Sequence, residues 1–244
     1  MTRKTLGYRL FIWGSLIFSL FLLWRLNNNI LTQVKYIPAD DYVRHWAAGK
    51  SFLKGDDPYS PSKLQVYQDQ ATGPQSRKDI ISTIFIPPWS FLIVAPFAIL
   101  NYPLSRLAWL IFSIILLIIS AELLWKVYDG PSQKKWLSWI FVFLYFPTIY
   151  LLEDGQTTCL VLLGLAAFLY FERLHRYWLG GTFIALITIK PQLTFLFWPA
   201  IVLWSIKRKN FSVCFGSALA ILLASILMII INPQIFEQYF SHIR

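Results

Sequence analysis

A succession of apolar runs, separated by short basic clusters, constrains this chain more than any other feature. The runs cover residues 6–24, 80–100, 104–125, 137–152, 157–171, 179–189, 193–206 and 211–231. The longest approach the roughly 20 apolar residues that a helix needs to cross a bilayer core. Of the 244 residues, 57% are hydrophobic and 14% charged, against about 25% charged in a soluble domain. That balance excludes a disordered chain, a collagen or a disulfide scaffold, and argues against a water-soluble enzyme. The 22 Lys and Arg exceed the 12 Asp and Glu, a net charge of +10. A nucleic-acid binder would gather its basic residues on a polar surface. Here they lie between apolar runs, as in a membrane protein with positive loops facing the cytoplasm.

Charge orients the runs better than hydropathy does. Half of the basic residues fall in four short groups: Arg3, Lys4 and Arg9; Lys126, Lys134 and Lys135; Arg173 and Arg176; Lys207, Arg208 and Lys209. Placing all four in the cytoplasm requires seven spans, at 6–24, 104–125, 137–152, 157–171, 179–189, 193–206 and 211–231. Residues 25–103 then form one long outer loop. Within it 80–100 lies on or dips into the outer leaflet, because Pro87, Pro88 and Pro96 interrupt helical bonding. The rival topology makes 80–100 a span and turns Lys126–Lys135 outward. A cytoplasmic N-terminus, a multi-pass membrane location and a polar outer face follow from the first. Residue Glu122 reads as a helix ion pair with Lys126. The two Cys and three His are scattered without metal-ligand spacing, so no metal site is read.

On the outer face the polar outliers converge: Asp40, Asp41, Glu153, Asp154, Gln156, Lys190 and Gln192. Apolar residues recur at helical spacing from Tyr42 to Leu53, which predicts an amphipathic helix on the membrane surface, ended by Gly55. Asp40 or Asp41 is then either its N-cap or a carboxylate placed to act as general base. One turn on, His45 reads as an interfacial structural residue or a proton partner. The Lys190 ammonium, between two apolar half-hairpins, either snorkels or meets an anionic group. The segment Glu153-Asp154-Gly155-Gln156 is an ordinary turn or a contact for hydroxyls. Arg106 reads as structural. No phosphate-binding loop, dinucleotide fingerprint or serine elbow occurs.

Four strings in order carry a resemblance: Asp41…Trp46-Ala47-Ala48-Gly49…Gly55…Pro58-Tyr59; Ile86-Pro87-Pro88…Pro96; Gly155-Gln156; and Gly180…Ile189-Lys190-Pro191-Gln192. Together they resemble glycosyltransferase family 87, which includes polyprenol-phosphate-mannose-dependent α-mannosyltransferases of the glycosyltransferase-C superfamily. The resemblance implies an all-α integral membrane protein, a multi-span bundle with amphipathic helices in its long first outer loop. It implies an inverting transferase that takes a sugar from a polyprenyl-phosphate donor to an envelope glycolipid or glycan acceptor. Asp41, with Asp40 as fallback, matches the catalytic position. Lys190 would bind the donor phosphate, and His45, Asp154, Gln156 and Gln192 would contact substrate. Family members continue through further helices, so the resemblance also implies a chain lacking the C-terminal ones. A transporter of lipid-linked sugars would favour internal repeats, and none is found. A noncatalytic membrane assembly factor is the other alternative.

Overall fold

The structure, a computed structural model, describes residues 41–73 and 83–243. The expected first span at 6–24, its basic cluster and Asp40 lie outside the described residues. Every regular element among the described residues is helical. Earliest among the described elements, α1 (Asp41–Leu53) and α2 (Pro61–Thr72) precede a broken segment. That segment holds the 3-10 turns Pro88–Ser90 and Phe97–Ile99 around a single helical turn, α3 (Phe91–Val94). No continuous helix runs through 83–100. The prolines remove backbone donors at the points where the turns begin.

Among the described residues two helices are long and apolar enough to cross a membrane: α4 (Tyr102–Val127) and, later in the chain, Ser212–Ile231. At 1.5 Å per residue the first is about 39 Å long. It starts two residues before the expected span. Asn101 accepts the Leu104 N–H at 3.2 Å and Pro103 occupies the first turn, so the start is set by a cap rather than by hydropathy. Next come α5 (Trp136–Leu144) and α6 (Phe146–Asp154), which follow the 3-10 turn Ser132–Lys134. The two are bent by 66° where the sequence suggested one straight run. Tyr145 is extended at the break, and Pro147 opens α6.

Then follow α7 (Thr158–Arg173), α8 (Tyr177–Ile184) continued by the 3-10 helix Ala185–Ile189, α9 (Pro191–Thr194), α10 (Phe197–Arg208), α11 (Ser212–Ile231) and α12 (Ile235–Ile243). The helix α7 packs between α4 and α8, and α8 packs along α11. Glycines permit the last contact. A Cβ on Gly181 would lie 2.2 Å from the Val213 carbonyl, and one on Gly216 2.5 Å from the Trp178 carbonyl. Backbones this close are a common route to helix association in lipid, where apolar burial drives little.

The helix α1 departs from its expected role as a surface helix with one apolar face. Tyr42, Val43, His45, Trp46, Ala47, Ala48, Gly49 and Ser51 are all buried, because α2, α3, α4 and the Phe97–Ile99 turn surround it. Trp46 Nε1 donates to the Leu100 carbonyl at 3.1 Å, and Lys50 Nζ to that of Ala98 at 3.1 Å. Its C-terminus follows expectation: the Gly55 N–H bonds the Phe52 carbonyl with φ +75°.

At the far end of α4, Arg173 donates to Asp129 at 2.5 Å and also bonds the Val127 carbonyl. There Arg208 pairs with Glu172 at 3.9 Å. Glu122 pairs with Lys135 at 3.6 Å and not with Lys126. The turn after α4 returns Lys135 to it, while Lys126 lies over the Tyr170 ring.

Candidate functional site

The opposite end of α4 holds the polar cluster. Its foundation is the turn between α6 and α7. Gly155 ends α6 at φ +65°, a left-handed conformation that disfavours any side chain. Space forbids one as well: a Cβ there would sit 2.5 Å from Tyr42 Cβ and 3.1 Å from Arg106 Cζ. Arg106, 1% exposed, lies near the start of α4. Its Nη2 donates to the Leu152 carbonyl at 2.9 Å and the Glu153 carbonyl at 2.6 Å, covering acceptors that the end of α6 leaves open. The guanidinium also lies over the Tyr42 ring, 5.4 Å from its centre. Trp109 Nε1 donates to the Gly155 carbonyl at 2.9 Å. The Tyr42 hydroxyl reaches Ser105. One buried arginine and three aromatic or hydroxyl groups therefore fix α1, α4 and α6 to one another.

On this base the sequence candidates meet. The Asp41 backbone N–H donates to Asp154 Oδ1 at 3.3 Å, so Asp154 caps α1 from 113 positions away. The Asp41 side chain stands at the first residue of the helix rather than outside it as a cap. It faces Arg44, 3.7 Å from Nη1. Gln156 Nε2 donates to Asp154 Oδ2 at 2.8 Å. Lys190 Nζ donates to Gln156 Oε1 at 3.1 Å, and Thr158 Oγ1 donates to the same oxygen at 3.1 Å. A continuous polar path thus runs from the start of α1 through Asp154 and Gln156 to Lys190. The Lys190 position follows from its neighbours: the 3-10 helix ends at Ile189, and Pro191 starts α9, so the backbone breaks at the lysine.

Burial and charge tune two of these groups. Burial raises the Asp41 carboxyl above the ordinary aspartate range, and the Asp154 charge adds to this, while Lys190 and Arg44 act in the opposite sense. His45 is pushed down to about 3, chiefly by burial and then by Lys190 and Arg44. The ring is 6% exposed, and neither nitrogen has a hydrogen-bond partner among the described residues. It is a neutral imidazole one turn from Asp41, with both polar atoms buried and unpartnered among the described residues.

Not every candidate joins. Gln192 is exposed on the first turn of α9 and makes no hydrogen bond among the described residues. Among them no group of three His, Cys, Asp or Glu side chains is placed to hold a metal ion. Arg106 is the residue whose importance the sequence reading undervalued. The available signal was an arginine inside an apolar run, which is costly unless partnered.

A family model described as glycosyltransferase family 87 matches residues 85–244. That range contains Arg106, Asp154, Gln156 and Lys190, whereas Asp41 and His45 precede it. Comparison with curated proteins and with solved structures gives no match.

Proposed function

The chain belongs to glycosyltransferase family 87, and from that membership we propose that it moves a sugar, mannose in the first instance, from a polyprenyl-phosphate donor to a glycolipid or glycan acceptor. The reaction takes place at the outer face of the plasma membrane, in a multi-pass protein with a cytoplasmic N-terminus. One observation carries the reading: a polar path runs from the backbone N–H of Asp41, whose carboxyl has a raised pKa, through Asp154 and Gln156 to the half-buried Lys190 ammonium.

In this reaction Asp41 takes the proton of an acceptor hydroxyl. The hydroxyl oxygen attacks the anomeric carbon from the face opposite the phosphate. The carbon–oxygen bond to the phosphate breaks, its electron pair leaves with the polyprenyl phosphate, and the anomeric configuration inverts. Lys190 balances the growing charge on the departing phosphate as a compact point charge. Asp154 holds the start of α1 and so places Asp41. Gln156 directs the lysine. His45 offers a neutral donor or acceptor to a sugar hydroxyl, and Gln192 awaits the acceptor. The balance of carboxylate and ammonium suits a donor whose phosphate is a single diester charge.

The test is transfer from radiolabelled polyprenyl-phosphate mannose in membranes. Removing a general base costs about 10²–10⁴-fold, so Asp41→Asn is expected to lose kcat on that scale. Lys190→Ala is expected to lose a charge-assisted contact of about 1.5–3 kcal/mol. Full transfer by both variants, at wild-type expression, overturns the assignment.

A further inference from the structure

We propose that the end of the molecule opposite the candidate site binds the headgroups of anionic phospholipids, through exposed basic side chains that the protein's own acids leave uncompensated. The proposal does not depend on the transferase reading. Contacts gather this end from distant parts of the chain. Arg173, the last residue of α7, reaches Asp129 and the Val127 carbonyl at the end of α4. Arg208, the last residue of α10, faces Glu172 3.9 Å away and lies over the Trp204 ring. Trp204 in turn meets Tyr177 at the start of α8, with ring centres 5.8 Å apart. The ends of α4, α7 and α10 and the start of α8 thus form one surface.

Charge on this surface does not balance. Its acids are Glu122, Asp129 and Glu172, and pairs with Lys135, Arg173 and Arg208 engage each of them. Lys126, Lys134, Arg176, Lys207 and Lys209 are left over. All are exposed, and none has a carboxylate partner among the described residues. Lys126 lies over the Tyr170 ring instead. The site end differs: there Arg44 faces Asp41, and Lys190 reaches Asp154 through Gln156.

The backbone points the same way. Among the described residues, the non-glycine positions with positive φ are Asp129, His175 and Lys209, at 54°, 55° and 51°. All three lie on this surface, where α4, α7 and α10 end. Glycine is the usual residue at such ends, because a side chain there is strained. Asp129 uses its carboxylate on Arg173, and His175 its ring on the Tyr177 hydroxyl at 2.9 Å. The Lys209 side chain makes no hydrogen bond among the described residues, so its ammonium is open to a group outside the chain. Lipid suits the arrangement better than a small anion. The cations are spread over separate helix ends, as a layer of headgroups requires. Tyr128, Trp136 and Trp178, close to them in the chain, are exposed, and amphipathic rings of this kind settle among headgroups. A lysine beside an anionic leaflet favours binding by about fivefold.

The experiment uses the full chain in detergent with equal amounts of phosphatidylglycerol and phosphatidylcholine, and mass spectrometry counts the lipids that stay bound. Phosphatidylglycerol should be retained about fivefold or more over phosphatidylcholine. Salt at about 1 M, which screens charges beyond roughly 3 Å, should abolish the preference. Arg176→Gln combined with Lys207→Gln should lower it by about threefold or more. Lys209→Gly separates binding from folding: the preference should fall while the melting temperature holds or rises, because glycine relieves the strained backbone. Lys54→Gln, an exposed lysine just past α1, should change neither. No preference in the wild-type protein, an unchanged preference in the Arg176/Lys207 variant, or an equal loss in Lys54→Gln would each overturn the proposal. So would a fall of both preference and melting temperature in Lys209→Gly, or displacement of the lipid by inorganic phosphate. Should the double variant fail to fold, its melting transition is lost, and Lys209→Gly supplies the measurement.

Discussion

Replacing Gly155 by alanine tests whether the turn beneath the site is held as described. The added methyl meets two obstacles. A left-handed conformation costs an L-residue roughly 1–2 kcal/mol. The methyl would also lie 2.5 Å from Tyr42 Cβ and 3.1 Å from Arg106 Cζ, and overpacking of this kind costs about 1–3 kcal/mol. The expected destabilisation is therefore about 2–5 kcal/mol. Gly55 supplies the control, because it has φ +75° and nothing within 4 Å of the added carbon. Gly55→Ala should show the conformational term alone, about 1–2 kcal/mol. Thermal unfolding in one detergent, at about 2–4 °C per kcal/mol for a chain of this size, measures both. Gly155→Ala should melt lower than Gly55→Ala by roughly 2–12 °C. Transfer by the folded Gly155→Ala protein should also fall, since Asp154 and Gln156 flank the displaced position. Equal melting shifts in the two variants would refute the packing argument. A large shift with unchanged activity would refute the link between this turn and the site.

Three further outcomes are expected. With Asp41 as base, kcat/KM rises with pH through its raised pKa; Asp154→Asn removes a charge that raises that pKa and should move the acidic limb to lower pH, whereas Lys190→Gln should move it higher. Because folded His45 titrates at about 3 and an unfolded histidine near 6.5, the neutral form contributes stability above about pH 6.5 that is lost as pH falls toward 3; His45→Leu should flatten this dependence in acid melting curves, leave neutral-pH stability within about 1 kcal/mol, and lower transfer. For orientation, single Cys residues at positions 156, 192 and 133 in a Cys-free background should react with an impermeant thiol reagent in intact cells at 156 and 192 but not at 133; the reverse pattern would turn the site inward.

The sequence made the helical class, the polar residues of the site and the ends of several helices legible, because each depends on local chemistry. Gly55 after α1 and the break at Lys190-Pro191 are examples. Charge placement along the sequence also puts Asp41, Asp154, Gln156 and Lys190 on one side. Contacts set by tertiary packing were less legible. Periodicity shows that α1 has an apolar face, yet it does not show that four other elements enclose it and bury His45. Pairing at the start of α1 comes from Asp154, and no local pattern announces a partner 113 residues distant. Arg106 read as structural, but its partners are backbone carbonyls, which leave no trace in residue identity, so what it holds was not legible. The bend between α5 and α6 was concealed by a run apolar on both sides of Pro147.

The path from Asp41 to Lys190 also has an order in time. Its first link joins residues 113 positions apart and its last joins residues 34 apart. While the chain is being made, α1 emerges long before Asp154 can reach its first turn, and Asp154 emerges before Lys190 can steady Gln156. Contacts between distant residues form late because the intervening chain must first be brought together. The start of α1 therefore waits, incomplete, until the segment carrying Lys190 has been made. A chain stalled before Lys190 would hold these helices without the side-chain contacts that join them.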